Sequence, residues 1–452
     1  MQNNAREIRL RRGYDLPFSG AADERIERGP PVRRVAVLGT DYAGMRPSLR
    51  VSEGDRVTLG DTLFVDRKRE AIRVCAPGSG TVTAIRRGRR RVLLAIVIEL
   101  DDSTTRRQVE VPAGPVDSLS PGDVRETLLR YGLWSAIRSR PYGIIPNPDA
   151  SPHALFITAA DTEPLAAEPA VLIGPAADAF RAGLRVLGRL HEGPTFVCTS
   201  PRFDIELPDL PGLVHARFAG PHPAGLAGTH IHHLAPASEE RPAWHIGYQD
   251  VIALGRLFAD GVLDVSRTVA IVGPAVSRPG LLETRLGAQL DPLVQDRQPG
   301  PYIRMIAGSV LSGREYTPEQ PFLGRYDRQV SVLYESVDRD KSNGDSGEGF
   351  SVMSPLTRLL SRRQRRLDTR LGGRPAGLVP FEVYERVFPL DLPVVPLLRA
   401  MVSSDSERAI ELGALELEPE DLGLLSAVCP ARYDYAAAWR AFAAEEMRSA
   451  TT

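Results

Sequence analysis

From Val51 to Ile85 apolar residues alternate with polar ones, and the alternation is cut at short intervals by Gly54-Asp55, Gly60-Asp61 and Gly78-Ser79-Gly80. A period of two suits a strand with one buried face. Glycine beside aspartate supplies the positive φ and the side-chain acceptor of a tight turn. A stretch punctuated this way has no room for a helix and must fold as short strands joined by turns. Val35 to Leu38, ended by Gly39, and Val92 to Leu100, apolar enough to be buried on both faces, extend the same unit.

The pattern resembles the half-repeats of biotinyl and lipoyl carrier domains, which implies a barrel-sandwich hybrid over residues 1–102. Asp66-Arg67-Lys68 stands at the turn where carriers place their modified lysine. Arginine follows the aspartate and the Met-Lys-Met signature is missing, so the unit is expected to serve as a rigid docking module and not as a carrier. Residues 103–260 read as a Rossmann-like α/β domain. A helix is expected from Pro121 to Tyr131 with Asp123 as N-cap, then strands at Ala154–Ala159 and Thr195–Cys198, and helices at Asp178–Leu190 and Gln249–Phe258. No Gly-x-Gly-x-x-Gly follows any of these strands, so the dinucleotide fingerprint is missing.

Residues 261–335 carry strands at Thr268–Gly273, Tyr302–Gly313 and Gln329–Leu333, a β-grasp-like pattern. Asp338 to Gly349, polar and glycine-rich, is expected as a mobile surface loop, and Leu356 to Leu371, with six arginines, as a basic helix facing acidic lipid, a partner or solvent. Residues 350–452 are expected to be largely helical. The fold class is therefore α/β and multidomain, in keeping with the roughly two to four domains that a chain of 452 residues holds.

A net charge of -1 argues against a general nucleic-acid or anionic-membrane binder, so partner choice must rest on local patches. No apolar run is long enough to span a bilayer, and Met-Gln-Asn-Asn-Ala-Arg-Glu lacks the apolar core of a signal. The three cysteines, Cys75, Cys198 and Cys429, follow no metal-ligand spacing, so a disulfide framework or a thiolate-held cluster is not expected from this chain alone.

Ala219 to His233 concentrates the unusual chemistry. Gly220, Gly225 and Gly228 permit positive φ or close approach, Pro221 and Pro223 stiffen the entry, and His222, His230, His232 and His233 are half of the chain's eight histidines. Two readings stand: a tight loop whose histidines bond to backbone, or a shaped ligand loop. A His-cluster metalloenzyme is a third. It is weakened because no acidic residue lies in the cluster.

The chain resembles the A subunit of the bacterial Na+-translocating NADH:quinone oxidoreductase. The resemblance rests on ordered blocks: Gly13-Tyr14-Asp15-Leu16-Pro17, Asp41 to Pro47, Ala76 to Gly80, Arg138-Ser139-Arg140-Pro141, Asp161 to Ala167, Gly220 to His230, Tyr248 to Ile252, Leu323-Gly324-Arg325-Tyr326, Glu385-Arg386-Val387 and Leu415-Glu416-Leu417. It implies a peripheral subunit on the cytoplasmic face of the inner membrane, in a six-subunit complex that passes electrons from NADH to quinone and exports Na+. The other five subunits, especially the membrane quinone-reducing one, would be its partners and would hold the flavins and the iron–sulfur centre. This chain would hold no cofactor of its own and would act as scaffold, with ubiquinone as a possible substrate. A quinone needs an apolar slot and donors at its carbonyls; Gly220, His222, Gly225, Gly228, Thr229 and His230 are the candidate contacts, with a histidine of near-neutral pKa as proton relay. The competing readings are a relic of an ancestral flavin or nucleotide site, and a stand-alone flavin-dependent NADH dehydrogenase, which the domain plan favours and the missing fingerprint and cysteines disfavour.

Overall fold

The computed structural model describes residues 5–297, 300, 302–336, 368–369, 375–377 and 381–449. The expected loop at 338–349 and nearly all of the arginine-rich segment 356–371 lie outside them.

The Gly-Asp turns form as their chemistry requires. Gly54 and Gly60 both take φ of +93°, while Asp55 and Asp61 accept the amide protons of Ser52 and Thr58 at 2.8 and 2.7 Å. Between them run the short strands of a barrel-sandwich. A four-stranded antiparallel sheet (Arg34–Leu38, Leu93–Leu100, Gly80–Arg87, Arg56–Val57) packs with a three-stranded one (Pro47–Leu49, Thr62–Asp66, Arg69–Cys75). Val35, Leu63, Phe64, Ile72, Val82, Ile96 and Ile98 fill the space between them. At the carrier-like hairpin, buried Asp66 accepts from the amides of Arg46 and Lys68 and from Arg69 Nε, which fixes the tip with its carboxylate turned inward.

The α/β domain is built on a six-stranded sheet in the order Arg6–Arg9, Leu213–Ala219, Thr195–Thr199, Ala154–Ala159, Ala243–Gly247, Arg138–Arg140. Every neighbouring pair is parallel except the last. Ala154–Ala159 is buried on both faces, the reason it reads as a continuous apolar run. Leu155 and Ile157 face the core with helices Ala177–Leu187 and Tyr248–Asp260, whereas Phe156 packs with Phe196, Phe218 and Ile231. The two helices cross almost backbone to backbone: a Cβ on Gly255 would lie 1.7 Å from the Ala179 carbonyl oxygen, and one on Gly183 would lie 2.0 Å from that of Val251. Helix Pro121–Arg130 differs from expectation in its cap. Ser120 is the N-cap residue, and Asp123 sits at the third helical position, returning a bond to Ser120 in a reciprocal capping box.

The sheet of the β-grasp domain runs Ile26–Arg28, Gly280–Arg285, Ser266–Val272, Gln329–Tyr334, Ile303–Ala307, Arg314–Glu315, with its central pair parallel, as a β-grasp fold requires. Residues before position 30 thus supply an edge strand to both the α/β sheet and the β-grasp sheet. Helices Glu382–Val387, Val394–Val402, Ser406–Glu411, Pro419–Ala427 and Tyr435–Ser449 close the chain around their own core of Tyr384, Leu397, Leu398, Leu422, Tyr435 and Trp439. No helix among the described residues is long and apolar enough to cross a membrane.

Candidate functional site

From Ala154–Ala159 the sheet steps outward to Thr195–Thr199 and Leu213–Ala219, then returns to the other side of Ala154–Ala159 as Ala243–Gly247. At such a reversal the connections leave the carboxyl ends of two adjacent strands in opposite directions and open a crevice, the place where open α/β sheets bind ligands. Here the crevice is a cavity of about 290 Å³, lined by Thr158 and Asp161 after one strand and by Gly247, Gln249 and Asp250 after the other. The β-grasp domain walls it with Gly308, Ser309, Ser312 and Arg325 to Gln329, and the helical region closes it with Glu418 to Glu420.

The cavity is densely charged and almost fully paired. Arg328 lies 3.1 Å from Asp161, Arg325 bonds Asp250 at 2.8 Å, Arg267 bonds the same carboxylate, and Arg138 stands 3.5 Å from Glu418 and 3.8 Å from Glu420. Burial by itself would raise Asp250, but Arg325 and Arg267 outweigh it and hold the carboxyl below its usual range. Glu163 is different. Burial pushes it up to about 7 against the bonds it accepts from Ser309 (2.6 Å) and Ser312 (2.8 Å), and neighbouring Asp161 pushes the same way. The guanidinium of Arg138 covers the ring of Tyr326 at 4.7 Å, and the Tyr326 hydroxyl donates to the Ser135 carbonyl. Four polar atoms of lining residues, Thr158 Oγ1, His245 Nε2, Arg325 Nη1 and Glu418 Oε1, have no hydrogen-bond partner among the described residues, and Thr158 Oγ1 and Arg325 Nη1 are donors.

This arrangement discriminates among ligands. Four guanidiniums (Arg138, Arg267, Arg325, Arg328) face six carboxyl groups (Asp161, Glu163, Asp250, Asp327, Glu418, Glu420), and each arginine is already paired. A nucleotide phosphate entering here would have to compete with carboxylates already paired to each of these arginines.

The stretch 219–233 is only half a loop. Leu213–Ala219 is a strand and Ala227–Leu234 is a helix, so His230, His232 and His233 stand on a helix. Its glycines serve close contact with protein: a Cβ on Gly220 would approach the Leu10 carbonyl oxygen to 2.7 Å, one on Gly225 the Thr162 amide to 2.5 Å, and one on Gly228 Asp421 Oδ1 to 2.2 Å. The His222 amide donates to Asp15 while its carbonyl accepts from Tyr14, which ties the Gly13-Tyr14-Asp15 block to the loop. Thr229 donates to the Pro223 carbonyl at 2.9 Å, and His230 Nε2 lies 3.0 Å from the Ala224 oxygen. His232 bonds Glu416 through Nδ1 and accepts the Asp391 amide through Nε2. Of the six expected contacts Gly225 alone lines the cavity, beside Leu226 and Ala227.

His222 and His230 do not have the near-neutral pKa expected of a relay. Burial depresses His222 to about 4 and His230 to about 3, leaving both neutral near pH 7. The sign of the linkage follows: the unfolded chain gains protons below about 6.5 while the folded chain does not. Stability held above that value should therefore fall as pH drops toward about 4. His230→Gln should lose less stability over that window than the natural chain in urea titrations at stepped pH. Equal losses would show that the burial of His230 carries no such cost.

The residues that line the cavity but were not assigned to it from sequence, Thr158, Asp161, Glu163, Ser309, Ser312 and Arg325 to Arg328, left one signal. Asp161-Thr162-Glu163-Pro164 follows closely on a fully buried strand, where a connecting loop has no need of two carboxylates.

Comparison with known proteins bears on all of this. Three family models match: "NqrA N-terminal barrel-sandwich hybrid domain" over residues 8–101, "NqrA second alpha/beta domain" over 119–263 and "NQRA C-terminal domain" over 268–317. The A subunit of the Na(+)-translocating NADH-quinone reductase of Pseudomonas aeruginosa (strain UCBPP-PA14) is 45% identical over 95% of this chain and 96% of its own length. The same subunit from Cellvibrio japonicus (44%; 95% and 96%) and from Rhodopirellula baltica (44%; 94% and 95%) is equally similar.

Proposed function

This chain belongs to the A-subunit family of the Na(+)-translocating NADH-quinone reductases, and from that premise we propose that it is a peripheral subunit on the cytoplasmic face of the inner membrane. It works there as a scaffold in the complex that couples NADH oxidation and quinone reduction to Na+ export, and it touches the quinone headgroup at the switch-point cavity. The other subunits, above all the membrane quinone-reducing one, supply the flavins, the iron–sulfur centre and the membrane attachment.

One observation carries this reading. Two buried donors, Thr158 Oγ1 and Arg325 Nη1, lack partners in a cavity whose arginines are already paired with carboxylates, a poor site for phosphate. A quinone ring is planar, uncharged and bears two acceptor oxygens. A volume of about 290 Å³ suits one ring and not an isoprenoid tail, which would have to leave through the mouth. The loop Gly220 to His230 contributes by shape. Gly225 presses it onto Asp161 and Thr162, while His222, Gly228, Thr229 and His230 hold it from behind.

Photoreactive ubiquinone added to the intact complex tests the reading. Label is expected in peptides containing Thr158 to Glu163, Gly225 to Ala227 or Arg325 to Gln329. Thr158→Val should reduce that labelling about tenfold, the cost of one buried hydrogen bond lost to a substrate carbonyl. Label confined to other subunits would retire the quinone contact. A purified chain that carried flavin and oxidised NADH unaided would overturn the scaffold role and favour the stand-alone dehydrogenase.

A further inference from the structure

Between the strands Gly80–Arg87 and Leu93–Leu100 the barrel-sandwich projects a hairpin tip, Arg86-Arg87-Gly88-Arg89-Arg90-Arg91-Val92, that the quinone reading leaves without a role. We propose that this tip adds a direct contact with an anionic phospholipid surface to the attachment that the partner subunits supply.

Four features of the tip support the assignment. Arg87, Arg89, Arg90 and Arg91 are exposed, and none pairs with a carboxylate among the described residues; Arg87 Nη1 donates to the Arg91 carbonyl across the turn and Arg86 Nη1 to the carbonyl of Glu319. Elsewhere on this surface arginine is commonly paired, as at Arg50–Glu70, Arg56–Asp101 and Arg202–Glu24. Second, Arg90 and Arg91 hold φ of 55° and 61° in succession, a left-handed backbone that glycine or asparagine would adopt at lower cost. Arginine stands where the turn disfavours it, and backbone strain of this kind clusters at sites of use. Third, Val92 is 57% exposed, one of three exposed large apolar side chains among the described residues, and it stands directly beside the guanidiniums. Basic forks flanking an apolar tip match a headgroup layer, in which phosphates bind guanidinium bidentately and the apolar side chain reaches the acyl boundary. Fourth, the chain as a whole is nearly neutral, at -1, so bulk charge gives no attraction to an acidic membrane and a local patch must supply it.

Flotation of the purified full chain with vesicles of phosphatidylglycerol and phosphatidylcholine, against vesicles of phosphatidylcholine alone, tests the proposal. Binding should require the anionic lipid and weaken as salt is added. Each arginine at such a surface contributes about fivefold in affinity, so R87Q/R89Q/R90Q/R91Q should reduce binding by well over tenfold. These side chains are exposed, so thermal unfolding of the variant should match that of the natural chain. Neutralising exposed Arg6, Arg9, Arg11 and Arg12 provides a charge-matched control that should retain most of the binding. Equal losses from the two sets, or no binding by the natural chain, would overturn the proposal. So would a hairpin variant that binds vesicles normally yet fails to co-purify with the membrane subunits in detergent, an outcome that assigns the tip to an acidic protein face.

Discussion

Replacing Arg140 with methionine is expected to destabilise the fold by about 3–5 kcal/mol, the cost of breaking a buried ion pair by removing one partner. Arg140 is 0% exposed. Its Nη1 donates to the Glu416 carbonyl at 2.8 Å and to Asp421 Oδ2 at 2.6 Å, its Nη2 donates to Glu420 Oε1 at 3.1 Å, and its Nε lies 3.1 Å from Glu418 Oε1. Burial works against the charge on Glu418, yet Arg140 holds that carboxyl far below its usual range. Without the guanidinium, three acidic side chains would share one dry junction. Because the strand Arg138–Arg140 belongs to the α/β sheet and helix Pro419–Ala427 to the terminal bundle, the loss should appear first as detachment of that bundle. Limited proteolysis should then release residues after Glu382 before the rest is cut, and urea unfolding should separate into two transitions. Arg140→Lys keeps the charge but not the fork, and should fall between the two. A methionine variant with unchanged midpoint and cleavage would show that the cluster contributes specificity without stability.

Trp134→Ala should cost a similar amount, about 3–5 kcal/mol, by the different mechanism of an unfilled cavity. The ring of Trp134 is fully buried, meets Trp244 edge-on with centroids 5.5 Å apart, and donates from Nε1 to the Pro146 carbonyl at 2.9 Å. Truncation removes the packing and leaves that carbonyl without its donor. Trp244 lies on the strand that forms one side of the crevice, so its neighbours in the lining, His245 and Ile246, should shift with it. Trp134→Phe keeps most of the volume and should recover at least half of the loss in a denaturant titration. Equal stability for the alanine variant would mean that the site collapses around the smaller side chain.

How much of this was legible in sequence follows from which forces are local. The Gly-Asp turns and the apolar run Ala154–Ala159 form as read, because turn geometry and double-sided burial leave their marks on neighbouring residues. The cap of helix Pro121–Arg130 stands three residues before its expected place, since Ser120 and Asp123 are both good caps and each bonds the other. Helix Ala227–Leu234 was hidden by the glycines and prolines before it, which are read as loop signals although Gly228 exists to admit Asp421. The cavity was illegible for a different reason. Its walls come from eight separate stretches, and nothing local announces that Glu163 will meet Ser309 and Ser312. The family resemblance, confirmed by near-full-length relatives, reached the complex without reaching the crevice.

The two edge strands near the N-terminus set an order of events during synthesis. A ribosome delivers Arg6–Arg9 about two hundred residues before its partner Leu213–Ala219, and Ile26–Arg28 must wait longer still for Gly280–Arg285. The opening segment therefore remains an unpaired thread through most of translation, and it is stitched in only when the interior of the chain has emerged and taken shape. Residues made early are among the last to find their places, and the seam they close runs across two domains at once.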